Sequence, residues 1–128
     1  MRAQVRLHLE QPDAAMRDCI ALTPVVDIAT ATTCIAQARA ALGDLTHAYA
    51  LVTAILRSPS PDAVSASWSA GVAAEFAARL GDNAAADRWF DVANRLDPGS
   101  HFTRISYADW LLWQGNHRRA LQIASTGT

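Results

Sequence analysis

Apolar residues, alanine foremost, fill the stretches that lead up to Gly43, Gly81 and Gly115. Each glycine is followed by a short polar side chain, Asp44, Asp82 or Asn116, before a second apolar stretch begins. β-branched residues never form a sustained alternating run, so strand signals are weak, and the abundance of alanine favours helix. Glycine ends a helix by taking a left-handed conformation that costs it no Cβ clash. The Asp or Asn behind it is an N-cap for the next helix, satisfying its free backbone donors. This punctuation predicts helices at about 1–10, 13–22, 25–42, 45–57, 62–80, 83–96, 101–114 and 117–125, with ends good to about two to four residues.

The same frame recurs at a distance. The three glycines are separated by 38 and 34 residues. Ala48, Ala86 and Ala120 each follow their glycine by five positions, and Ala36, Ala74 and Ala108 each precede theirs by seven. Short links of this kind make the two helices of a unit antiparallel neighbours, and small alanines at the crossing let the axes approach to roughly 8 Å. Phe90, Ala93 and Pro98 complete the frame in the best-formed unit, from Ser67 to Pro98. The four extra residues of the longer step fall in "RSPSPD", a loop between units.

With Ala74, Gly81, Ala86, Phe90, Ala93 and Pro98 in register, the chain resembles the tetratricopeptide repeat (TPR) family, whose period is about 34 residues. The resemblance implies an all-α fold, a right-handed superhelical solenoid of antiparallel helix pairs. It would be one domain with units at about 1–28, 29–66, 67–100 and 101–128. Glu10 stands where the first unit would have its glycine, and Ala70 and Ala77 replace larger residues of the family pattern. Trp68, Trp110 and Trp113 are placed to supply the missing volume. Solenoid ends need polar caps, and neither end of this chain has one, so the expectation is a fragment of a longer protein or ends covered by another copy. An up-down helical bundle is the competing architecture, because binary pattern alone does not separate the two.

Composition narrows the functional classes. A net charge of -1 argues against a nucleic-acid surface. All basic residues other than histidine are arginine, and with the alanine bias this looks like the product of a GC-rich bacterial genome. No stretch is apolar enough to span a membrane and the first residues lack a signal-peptide core, so the expectation is a soluble chain without its own export signal. His8, His47, His101 and His117 form no i, i+4 pair and no metal or triad motif, and read as surface helix residues. Asp87 and Asp91, with Arg88 and Arg95, read as solvated ion pairs worth a few tenths of a kcal/mol. No catalytic residue, metal site or cofactor is expected.

Cys19 and Cys34 fall on helices that a repeat stack makes neighbours. A disulfide between them would close a loop of about fifteen residues, worth roughly 3 kcal/mol in the chain-entropy model. The alternative is two buried thiols acting as small hydrophobes.

In TPR proteins the first helices of successive units line a concave groove. Carried over residue by residue, that groove comprises Thr30, Thr33, Gln37, Trp68, Glu75, Arg79, Phe102, Ile105, Asp109 and Trp113. The family's clamp for a C-terminal carboxylate would need basic and amide residues where this chain has Thr33, Gly71, Gln37 and Glu75, so that function is not expected. The resemblance implies a non-catalytic protein–protein interaction module binding a partner peptide or helix. The alternatives are a self-assembly element, joined through end faces at Val5 and Leu121, and a regulatory domain of a larger protein.

Overall fold

A computed structural model describes residue 17 and residues 28–58 and 62–125. Among these the chain is all-α, with no strand: α1 Ile28–Ala41, α2 Leu45–Leu56, α3 Ala63–Arg79, α4 Asn83–Leu96, α5 His101–Trp113 and α6 His117–Ser125. The expected helices at 1–10 and 13–22, with Val5 and Cys19, lie outside the described residues, as do the loop prolines Pro59 and Pro61.

The glycine punctuation has one physical form used three times. Gly43, Gly81 and Gly115 have φ of 96°, 85° and 79°. At each, the glycine N–H donates three residues back, as from Gly81 to the Ala78 carbonyl at 3.1 Å. The next N–H donates five back, as from Asp82 to the Ala77 carbonyl at 2.9 Å. The pair is a Schellman motif, which satisfies carbonyls left over at the helix end. Caps follow at once for two of the three turns: Asp82 accepts from the Ala85 N–H at 3.0 Å and Asn116 from the Arg119 N–H at 3.2 Å. Asp44 departs from the expectation. It holds the N-cap position of α2 with no side-chain cap bond, and its carboxylate lies 3.3 Å from His47 and 3.9 Å from Arg39. Asp62 and Ser100 cap α3 and α5 through the Val64 and Thr103 N–H groups.

Pairing follows from these turns. Ser67 Oγ donates to the Ala93 carbonyl at 2.7 Å near one end of the α3–α4 pair, while Ala77 meets Ala85 and Ala86 at the other, so the two helices run antiparallel. Their crossing is made of alanines with essentially no exposed surface. α1 and α3 run parallel to one another: Thr30 bonds to Ser65 and Thr33 to Ser69 across them. Backbone contacts join only helices of the same pair or of adjacent pairs. α1 touches α2 and α3, α5 touches α3, α4 and α6, and α1 meets neither α5 nor α6.

Larger side chains fill the spaces that the alanines leave. Phe90, one of the residues of the repeat frame, is buried and stacks on Tyr107 with ring centroids 5.3 Å apart. Trp68 and Trp110 pack against the core as expected. Trp113 does not, being 88% exposed. Trp89, which carried no sequence signal, packs into three of the apolar clusters and donates to the Tyr49 hydroxyl at 3.1 Å, tying α4 to α2.

Candidate functional site

Along α3, Val64, Ser67, Trp68 and Glu75 line one cavity. Gln37 approaches from α1, and Asp97, Ser100, Phe102 and Thr103 from the α4–α5 link and the start of α5. Together they enclose a groove of about 520 Å³. From Val64 to Glu75 the helix rises roughly 16 Å, a span that matches about five residues of extended peptide. Gly71 lies on the same side, one turn from both Trp68 and Glu75, and a Cβ built there meets nothing within 4 Å. A side chain at this position would therefore have open space between Trp68 and Glu75.

The groove gathers four of the ten residues expected there from sequence: Gln37, Trp68, Glu75 and Phe102. Trp68 is half-buried and rests on Cys34, so it serves core and groove together. Phe102 is 62% exposed. Arg79, Asp109 and Trp113 are exposed and lie outside this groove. Thr33 is a correction. It is fully buried and its hydroxyl hydrogen-bonds Ser69 at 2.7 Å, so it faces the α1–α3 contact instead of solvent. A helix position read as groove-facing can equally face the next first helix, because both lie on the same broad side.

Sequence reading passed over Val64, Asp97 and Ser100. Asp97 follows the last turn of α4 and Ser100 caps α5, so both carry signals of helix ends and none of a site. Their entry into the groove depends on how the link between pairs folds back.

The electrostatics of the groove are acidic. Burial pushes the Glu75 carboxyl above the ordinary value of 4.5, and the attraction of Arg79 one turn on offsets this only in part. Ser67 and Ser100 have their hydroxyls committed to Ala93 and Thr103. A second cleft of about 390 Å³ lies between α2 and α4, lined by Tyr49, Thr53, Arg57, Arg88, Trp89 and Val92, and its charged residues are both basic.

Of the expected surface ion pairs, Asp91 does pair with Arg95. Asp87 instead accepts a hydrogen bond from the buried Tyr107 hydroxyl at 3.2 Å, linking α4 to α5. Cys34 is buried and disulfide-bonded; Cys19 lies outside the described residues. Among the described residues no three His, Cys, Asp or Glu side chains cluster closely enough to hold a metal ion, and no helix is long and apolar enough to cross a membrane.

No protein-family model matches the chain, and no curated protein matches it.

Proposed function

We propose that this chain is a non-catalytic protein-interaction module that takes a peptide or helix of a partner protein in the groove along α3. In this reading its helix pairs stack as a right-handed superhelical solenoid resembling the TPR family. The observation that carries it is the convergence of Gln37, Trp68, Glu75 and Phe102, from three successive first helices, on one cavity of about 520 Å³. That volume and the mixture of aromatic surface with a few polar groups suit recognition by a small number of anchors. The parallel run of α1 and α3 and the contacts confined to adjacent pairs support the stacked arrangement. Gly71→Met tests the reading, because a long side chain there fills the groove from a helical position where nothing stands in its way. Selection from a degenerate nonapeptide library should enrich sequences on the native protein and lose that enrichment on Gly71→Met. Enrichment that survives the plug, or none on the native protein, refutes the groove.

A second reading, self-assembly, draws on the last pair, where Ile105, Trp113 and Leu121 are 65%, 88% and 69% exposed. Sedimentation equilibrium over a range of concentrations tests it: Trp113→Ser should abolish any association and leave peptide selection intact.

A further inference from the structure

We infer that the groove along α3 selects a cationic side chain, arginine or lysine, carried on an extended segment of the partner protein. This deepens the peptide-binding reading and rests on it.

The lining residues decide the sign. Two of them are carboxylates, Glu75 and Asp97, and none is basic. Among the described residues neither carboxylate forms an ion pair, although Asp44 and Asp91 elsewhere both do. Nor does either carboxylate take a hydrogen bond, whereas the hydroxyls of Ser67 and Ser100 are already engaged. The two carboxylates are therefore anionic acceptors open to an incoming ligand. Glu75 is also substantially desolvated, and Arg79 on the following turn is itself exposed and only partly compensates for it.

Each class of occupant meets a different outcome in such a site. An acidic segment brings a third negative charge against two. A wholly apolar segment covers Trp68 and Phe102 but removes still more water from Glu75 and leaves its charge unpaired, which is costly in a low-dielectric site. A guanidinium or ammonium supplies the missing counter-charge. Its aliphatic stem can lie along the aromatic surface, and the indole of Trp68 offers a face that attracts cations. An extended backbone fits the groove's length, with alternate side chains turned inward.

The degenerate nonapeptide library provides the test, applied to the native protein, Glu75→Gln, Asp97→Asn, the double variant and Gly71→Met. Arg88→Ala, in the cleft between α2 and α4, serves as control. Circular dichroism and thermal melting establish that each variant folds. The native protein should enrich Arg and Lys over Gln at one position by about tenfold or more, the size expected when a charge pair is largely desolvated. The double variant should lose most of that preference, while Arg88→Ala keeps it. A consensus that is apolar or acidic at every position, yet abolished by Gly71→Met, overturns the charge inference and leaves the groove standing. A basic preference that the double variant retains also overturns it. Enrichment indifferent to Gly71→Met, or no enrichment, removes both the groove and its charge selection.

Discussion

Gly81 and Gly71 lack a side chain for opposite reasons. Gly81 sits at φ 85° in a Schellman turn, where a Cβ is strained whatever space surrounds it. Gly81→Ala should cost about 1–2 kcal/mol. Gly71 is an ordinary helical residue with open space above it, so Gly71→Ala should stabilise the fold by about 0.8–1.0 kcal/mol through helix propensity. Urea denaturation checks both, read as opposite shifts of the midpoint at unchanged slope. Glu75 makes a prediction in pH. Its proton is held more tightly in the folded chain than in the unfolded one. Its contribution to stability is therefore fully present below about pH 4.5 and is lost as pH rises through its elevated folded value. Glu75→Gln should gain stability relative to the native protein between pH 4.5 and neutrality, as followed by melting temperature. Asp62 shifts the other way, since hydrogen bonds from Ser65 and Val64 lower its pKa below 3.8; its contribution is lost only as pH falls below that value, outside the window of Glu75. The glycine turns were legible because the requirement for positive φ is local. The desolvation of Glu75 was not, because it is produced by residues distant in sequence.

Between elements, the contact of α1 with α3 is unusually polar for a buried surface. Thr33 and Ser69 share a hydrogen bond at 2.7 Å with neither exposed. Ser69→Ala should leave the Thr33 hydroxyl buried without that partner and cost about 1–3 kcal/mol. Adding Thr33→Val should recover part of the loss, giving a double-mutant cycle that is measurably non-additive; simple additivity would show that the hydroxyls do not depend on each other. Helix spans were legible in advance because caps and stops act within a few residues. The described helices Leu45–Leu56, Asn83–Leu96, His101–Trp113 and His117–Ser125 fall within a residue of the boundaries that the glycines and their following polar residues imply. What a helix face meets was less legible. Thr33 has the spacing of a groove residue and the environment of an inter-helix contact, and only the packing of α3 distinguishes the two.

At the scale of the whole molecule, stability should be graded along the row of pairs, because backbone contacts join only neighbours. The α3–α4 pair is flanked on both sides, and its crossing is made of buried alanines. The α5–α6 pair is attached to the rest through Phe90, the Tyr107–Asp87 hydrogen bond and a narrow backbone contact. Native-state hydrogen exchange should therefore find the slowest amides in α3 and α4, with α5 and α6 opening at lower free energy. Equal protection across the four helices would indicate a single cooperative unit.

The residues alone determined the helical class, the turns at Gly43, Gly81 and Gly115, the pairing of adjacent helices and the small-residue crossings, since each depends on backbone conformation or on side-chain size at fixed spacing. Tertiary structure decided which candidates share a cavity. Gln37, Trp68, Glu75 and Phe102 come together with Val64, Asp97 and Ser100, while Thr33 is buried and Trp113 stands apart in solvent. The acidic character of the groove also arises only there, because burial of a carboxylate and a lining without a basic residue are properties of the packed assembly and not of any local stretch of chain.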